Sequence, residues 1–176
     1  MKNIIAFAGS NSKKSINKQL ATYTAKQLKD AEANVLDLND FELPIYSIDY
    51  EIAHGIPDNA QRMLELIKGA DGIVLSLAEH NGSYAAVFKN TYDWMSRIDS
   101  KLWSNIPMLL MATSPGGRGG ATVLETAANG FKHLGGNVVA TFSLPSFGSN
   151  FSETGIQDDA LNNELNTAIA ALEAAI

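Results

Sequence analysis

The chain contains no cysteine, and this absence excludes several kinds of chemistry at once. Disulfides, thiol nucleophiles, cysteine-ligated zinc and cysteine-bound iron–sulfur clusters are all ruled out. The histidines His54, His80 and His133 show neither H-E-x-x-H nor another paired metal-ligand spacing, so no metal site is expected. A G-x-S-x-G nucleophile elbow is missing too. If the protein is an enzyme, its chemistry has to come from something other than these devices.

Long apolar runs and an excess of basic charge are also missing. No run is long enough to cross a bilayer, and the N-terminus leads into a predicted strand without a signal-peptide pattern, so we expect a cytoplasmic protein. The net charge is −6, and the largest basic cluster is Lys13, Lys14 and Lys18, which argues against nucleic-acid binding. A length of 176 residues, 45% of them hydrophobic, suits one domain over residues 1–176.

Short apolar runs alternate with helical patterns along the chain. Strands are predicted over residues 2–8, 34–38, 72–77, 106–113 and 138–142. Helices are predicted over residues 15–29, 57–69, 83–98, 121–134 and 158–176, with loops over 39–56 and 144–157. Such alternation predicts an α/β fold with a parallel sheet and helices on both faces. A phosphate-type loop after the first strand favours the flavodoxin-like strand order 2-1-3-4-5.

The loop after the first strand has the composition of a phosphate site. Ser10, Ser12 and Ser15 offer hydroxyl groups and Asn17 an amide, at the point where a helix is predicted to begin. Neither G-x-x-x-x-G-K-[ST] nor G-x-G-x-x-G occurs, so a triphosphate P-loop and the dinucleotide fingerprint are both excluded. The pattern suits a single terminal phosphate, as in a mononucleotide. A plain strand–loop–helix connection capped by Ser15 is the alternative.

Three polar, glycine-containing loops are expected to meet at one edge of the sheet. They are residues 9–15, 77–83 and 114–120, which follow the first, third and fourth predicted strands. In doubly wound sheets, ligands bind beyond the carboxyl ends of the strands, where the strand order reverses. His80 lies in one of these loops, either as a ring contact or proton source or as a surface polar residue. Since no conventional catalytic group is evident, a bound cofactor such as a flavin is the natural carrier of chemistry.

These motifs resemble those of a known family. Gly9-Ser10 followed by Ser15-x-Asn17 is similar to the phosphate loop of the NADPH-dependent FMN reductases, which include quinone, azo and chromate reductases of flavodoxin-like fold. The segments 78–83 and 89–94 resemble that family's P-E-Y-N-x-S and K-N-x-x-D-W motifs, and the turn 114–120 its glycine-rich turn. The motifs stand in the family's order and spacing.

The resemblance implies an oxidoreductase that takes hydride from NADPH or NADH onto FMN and passes electrons to a quinone, free flavin, azo compound or metal oxyanion. Ping-pong kinetics and a homodimer or homotetramer are expected, with the helix of Asp93 and Trp94 near the interface; Trp94 as a plain core residue is the alternative. Arg118 is expected near the docking site of the donor, or else on the surface. The implied FMN-binding residues are Ser10, Ser12, Ser15, Ile16, Asn17, Ala78, Glu79, His80, Asn81, Gly82, Ser83, Ser114, Gly116 and Gly117.

Two other functions fit the same fold. One is an electron carrier that holds the flavin but has no hydride site. The other is a binding protein that has lost its cofactor. It is motivated by two departures from the family, which often has arginine where Ser12 stands and has tyrosine where His80 stands. A third departure is Ala78 in place of the family's proline, which loosens the loop.

Overall fold

The structure is a computed structural model that describes all residues from Met1 to Ile176. Its elements in chain order are β1 (Lys2–Gly9), α1 (Ile16–Ala25), β2 (Ala31–Val35), α2 (Ile48–His54), α3 (Asp58–Lys68), β3 (Gly72–Leu77), β4 (Glu79–His80), β5 (Ser83–Tyr84), α4 (Ala86–Ile98), β6 (Pro107–Thr113), α5 (Ala121–Gly130), β7 (Asn137–Leu144), α6 (Phe147–Asn150), β8 (Phe151–Ser152), β9 (Gly155–Ile156) and α7 (Asp159–Ala175). Short 3₁₀ turns cover Leu38–Asp40 and Phe131–Leu134.

The main sheet has five parallel strands in the order β2-β1-β3-β6-β7. Because β6 and β7 are the fourth and fifth strands of this sheet, the predicted order 2-1-3-4-5 is confirmed. In the register, Gly9 pairs with Leu77 and Leu77 with Ala112. The loops after β1, β3 and β6 therefore leave the sheet at the same edge.

Both faces of the sheet are covered by helices. In β1, Ile5 and Phe7 belong to a core shared with α3, α4 and α5, whereas Ile4 and Ala6 belong to a core shared with α1 and α7. The central strands are apolar at consecutive positions because each face buries every second residue. Every residue of β3 is buried. None of the helices combines the length and the apolar character that a membrane-spanning segment requires.

Several predicted boundaries are wrong. The first helix ends at Ala25 rather than at residue 29, and the next strand begins earlier than predicted, at Ala31. Asp30 separates them in a left-handed conformation, with a φ of 51°. The strand β2 lies at the sheet edge and is only half-buried, so its apolar signal is weak.

Two stretches predicted as loops contain regular structure. Residues 39–56 include α2, whose first turn is capped by the Ser47 hydroxyl accepting a hydrogen bond from the Tyr50 N–H. Residues 144–157 include α6 and the hairpin β8–β9. The helix α2 has seven residues, α6 has four, and each strand of the hairpin has two. Elements this short contain too few residues to show a periodic apolar pattern in the sequence.

Candidate functional site

The loops after β1, β3 and β6 enclose a cavity of about 270 Å³. This arrangement agrees with the sequence-based expectation that the three loops meet at one edge of the sheet. The lining residues are Ser10, Ser12, Lys14, Ser15, Ile16, Asn17, Ala78, Glu79, His80, Thr113, Ser114 and Pro115. Nine of these twelve are residues that the resemblance implied for FMN; Lys14, Thr113 and Pro115 are the three that were not.

The N-terminus of α1 points two unpaired donors at this cavity. The Ser15 hydroxyl accepts a hydrogen bond from the Lys18 N–H (3.1 Å), whereas the N–H groups of Ile16 and Asn17 have no partner in the chain. Ser15 and Asn17 are buried and Ile16 is half-buried. N–H groups left without acceptors at a helix N-terminus favour an anion. The chemistry of this end of the cavity is therefore that of a phosphate or carboxylate site.

The serine loop is held in shape by its own side chains. The Ser10 hydroxyl accepts from the Ser12 N–H (3.2 Å), and the Ser12 hydroxyl accepts from the Lys14 N–H (3.3 Å). Each hydroxyl that accepts in this way keeps its own hydrogen for donation to a ligand. The loop is also tied to the segment after β2, because the Asn39 amide donates to the Asn11 carbonyl (3.1 Å).

Asn17 connects α1 to two strands. Its amide donates to the Thr113 carbonyl (3.1 Å), and its Oδ1 accepts from the Thr113 N–H (3.0 Å) and the Ser76 hydroxyl (2.7 Å). All three residues are buried. The side chain that the sequence suggested as a phosphate ligand is thus occupied in holding α1 against β3 and β6, and the backbone N–H of Asn17 is the group left for an anion.

The loop after β3 is a tight hairpin, not the start of a helix. His80 pairs with Ser83 across Asn81 and Gly82, whose φ angles are 52° and 73°. Two central residues with positive φ form a type I′ turn, for which Asn-Gly is the preferred sequence. The helix predicted from Ser83 consequently begins at Ala86. The Asn81-Gly82 dipeptide was the signal in the sequence that could have revealed this hairpin.

Glu79 connects this hairpin to the glycine-rich loop. Its carboxylate accepts a hydrogen bond from the Val123 N–H (2.9 Å) in the first turn of α5. A carboxylate at a helix N-terminus satisfies a free donor and complements the helix dipole. Glu79 thus both lines the cavity and ties the hairpin to α5.

The glycines of residues 114–120 fall into two groups. Gly119 and Gly120 have φ angles of 58° and 73°, and a Cβ on Gly120 would lie 2.9 Å from that of Ala112. By contrast, a Cβ on Gly117 would meet nothing within 4 Å, and one on Gly116 only the Ser114 hydroxyl at 4.0 Å. The backbone conformation and packing of the chain thus require glycine at Gly119 and Gly120, whereas Gly116 and Gly117 have open space beside them.

The remaining predicted residues do not line the cavity, although they lie in the two segments that supply Ala78 to His80 and Ser114 to its lining. They are Asn81, Gly82, Ser83, Gly116, Gly117 and Arg118. Arg118 donates to the Thr122 hydroxyl (2.6 Å) one turn along α5, so its guanidinium is held beside the glycine loop. Trp94 is fully buried, and its indole N–H donates to the Pro44 carbonyl (2.7 Å), so it is a core residue covered by the segment before α2.

Sequence comparison assigns the family. A model of the NADPH-dependent FMN reductase family matches residues 2–149. The chain belongs to this family. The serine loop, the hairpin and the glycine-rich turn of this chain all fall within the matched region.

Individual relatives agree with this assignment. A quinone reductase of Escherichia coli K12 is 31% identical over 119 residues, which cover 67% of this chain and 63% of that protein. An NADPH azoreductase of Bacillus sp. OY1-2 is 31% identical over 107 residues, covering 61% of this chain and 56% of that protein. The aligned region is thus less than two thirds of the length of either relative.

Solved structures share the fold. The flavoenzyme NAD(P)H:(acceptor) oxidoreductase FerB of Paracoccus denitrificans superposes with a TM-score of 0.75 over 99% of both chains, at 24% identity. The predicted flavodoxin-like fold is thereby confirmed over nearly the whole chain.

Proposed function

We propose that the protein is an NAD(P)H-dependent, FMN-containing reductase of small acceptors such as quinones, free flavins, azo compounds or metal oxyanions. The observation that carries this proposal is the pair of unpaired N–H groups of Ile16 and Asn17, facing a serine-rich cavity. They lie in the segment whose sequence resembles the family's phosphate loop. That the whole chain acts as one domain in the cytoplasm stays a prediction from the sequence.

The cavity fits the phosphate of FMN. Besides the two N–H groups, the hydroxyls of Ser10, Ser12 and Ser15 supply donors, and Lys14 supplies a positive charge in the lining. Charge-assisted hydrogen bonds of this kind are stronger than neutral ones. Ser12 replaces the arginine that the family often has, so the α1 dipole and Lys14 are left to balance the phosphate charge.

The residues beyond the phosphate end suit a flat ring, one face of which would stay accessible to solvent. Glu79, His80 and the Gly116–Gly117 turn border the space beyond the phosphate end, and the turn has no side chain to fill it. When bound, FMN supplies the redox chemistry, accepting hydride from the nicotinamide and giving electrons to the acceptor. The chain's own part is to anchor the phosphate, to offer backbone groups along the ring, and to leave room for donor and acceptor in turn.

Binding and kinetics together test this proposal. Purified protein freed of ligands is titrated with FMN, and the loaded protein is assayed with NADPH and a quinone. We expect FMN to raise the unfolding temperature, because a ligand of the native state stabilises it. We also expect parallel lines in double-reciprocal plots, which indicate ping-pong kinetics. Retained FMN without NADPH oxidation would instead make the protein an electron carrier.

We further infer that the chain forms homo-oligomers through the segment around α2. Ile45, Ile48 and Ile52 are 79%, 51% and 78% exposed, and no residue of α2 is buried. Adjacent exposed apolar side chains commonly mark an interface. The segment is held on the body by Arg97, which donates to the Glu51 carboxylate (2.9 Å).

Light scattering on the wild type and on Ile52→Asp tests this inference. A multimer that the substitution dissociates supports it, and a monomeric wild type overturns it. The matched control is Leu161→Asp, a half-exposed residue on α7, which should leave the multimer intact.

A further inference from the structure

Charge is distributed very unevenly along the sequence. Residues 1–29 hold six of the 13 basic side chains and none of the 19 acidic ones. The six are Lys2, Lys13, Lys14, Lys18, Lys26 and Lys29. In a chain with a net charge of −6, this N-terminal segment is basic against an acidic background.

Four of these lysines line one groove. It lies between α1 and the β8–β9 hairpin and has a volume of about 520 Å³. Its lining consists of Lys13, Lys14, Ser15, Lys18, Gln19, Thr22, Tyr23, Lys26, Phe151, Ser152 and Glu153. Lys14 and Ser15 line both the groove and the phosphate cavity, so the two spaces are neighbours.

Three of the four ammonium groups are free to bind an anion. Lys18 pairs with Asp37, but Lys13, Lys14 and Lys26 form no ion pair in the structure. One carboxylate, Glu153, also lines the groove and opposes an anion there. The groove therefore carries a net positive charge.

The groove wall is partly aromatic. Tyr23 and Phe151 are half-buried, and their rings meet edge to face with centroids 5.4 Å apart. The Tyr23 hydroxyl forms no hydrogen bond within the chain, although it lies beside Gly155, where even a Cβ would collide with it. Aromatic walls flanked by free cations suit a planar base that carries phosphates.

We propose that this groove binds the adenosine half of NADPH, with Lys13 and Lys26 recognising its 2′-phosphate. The proposal rests on the proposed function, in which FMN phosphate fills the cavity at Ser15 and the nicotinamide lies over the ring. A donor in that position has to extend its diphosphate and adenosine away from the ring. The groove is the basic surface next to the cavity, and Lys14 lines both. Lys13 and Lys26 are thus specificity-determining residues for NADPH over NADH.

The test uses a double variant that spares the phosphate cavity. Lys13→Ala/Lys26→Ala alters only groove residues, since neither lysine lines the cavity. We expect its KM for NADPH to rise about tenfold, as the loss of a charged hydrogen bond implies, with kcat and the KM for NADH little changed. Glu153→Gln should lower the KM for NADPH. Lys132→Ala, which is distant from the groove in sequence and outside its lining, is the matched control.

A second readout needs no turnover. Calorimetry measures the binding of 2′,5′-ADP to the FMN-loaded wild type and double variant, and we expect the same loss of affinity. An unchanged KM for NADPH, an equal rise for NADH and NADPH, or lysine-independent 2′,5′-ADP binding would each overturn the proposal. If 2′,5′-ADP binding depends on the lysines but NADPH is not oxidised, the groove assignment stands and the reductase assignment fails.

Discussion

The two ends of the candidate site are built in opposite ways. At the phosphate end, Ser15, Asn17 and Thr113 are buried, and almost every polar side-chain atom has a partner. At the other end, where the flavin ring is proposed to lie, His80 and Gly117 are exposed, and a Cβ on Gly117 would have no neighbour within 4 Å.

This difference suits one end to holding a cofactor and the other end to the exchange of donor and acceptor. A buried, prearranged anchor loses little entropy on binding, so it can hold a cofactor through many turnovers. An open face allows donor and acceptor to come and go. Substitutions at either end test whether each residue anchors the cofactor or borders the open face.

The largest effect is expected for Asn17→Asp. This change replaces the amide that donates to the Thr113 carbonyl by a buried carboxylate, which faces that carbonyl and adds a negative charge to the residue whose N–H is proposed to bind the phosphate. We expect roughly 3 kcal/mol less stability in urea unfolding, the cost of a buried unmatched polar group, together with loss of FMN binding. Asn163→Asp adds the same charge on the exposed face of α7 and should change neither. Unchanged FMN affinity in Asn17→Asp would remove this residue from the anchor.

A pair of glycine substitutions separates the two ends within one loop. Gly119→Ala forces a Cβ to within 2.9 Å of the Pro145 nitrogen at a positive φ, so we expect a loss of about 2 kcal/mol or more. Gly117→Ala has open space and should stay within about 0.5 kcal/mol of the wild type. We expect Gly117→Ala to alter the KM for donor or acceptor instead. Equal destabilisation by the two variants would contradict the division of the loop.

Two serine caps offer a smaller, matched comparison. Ser15→Ala removes the cap of α1 and Ser47→Ala that of α2, each of which accepts an N–H at 3.1 Å. Both variants should lose about 1 kcal/mol of stability. Only Ser15→Ala should weaken FMN binding, by about tenfold for a lost hydrogen bond to a charged group. Equal FMN titrations for the two would show that Ser15 is a cap alone.

The smallest effect is a pH dependence at the base of the serine loop. The Lys18 ammonium, by its hydrogen bond, holds the pKa of Asp37 below its ordinary value of 3.8. A lowered folded-state pKa adds stability that is complete above 3.8 and disappears as the pH falls through the lower value. Asp37→Asn should thus be slightly less stable than the wild type near neutral pH, and the difference should vanish in strong acid. A difference that persists in acid would contradict the pairing.

Much of the fold was predictable because its signals are local. Consecutive buried positions identified β3, and the serine-rich turn after β1 identified the loop that α1 follows. Register then brought the three loops together without any further information, since parallel strands end at one edge of the sheet.

The rest depends on contacts that no local pattern contains. The link from Asn17 to Thr113 spans 96 residues, and that from Glu79 to Val123 spans 44. The sequence pattern predicted that Asn17 and Glu79 are near the site. It did not predict that the Asn17 side chain bonds Thr113 of β6 or that the Glu79 side chain bonds the first turn of α5. The groove lined by the lysines could not be predicted from the sequence either. The β8–β9 hairpin that forms its other wall comes more than 100 residues after α1.

Anaerobic addition of NADPH to the FMN-loaded protein tests the central claim most directly, with the visible flavin bands as the readout. We expect the protein to take up FMN and its flavin bands to bleach rapidly. A protein that takes up no FMN from an excess, and gains no thermal stability from it, would contradict the claim that these three loops form a flavin site.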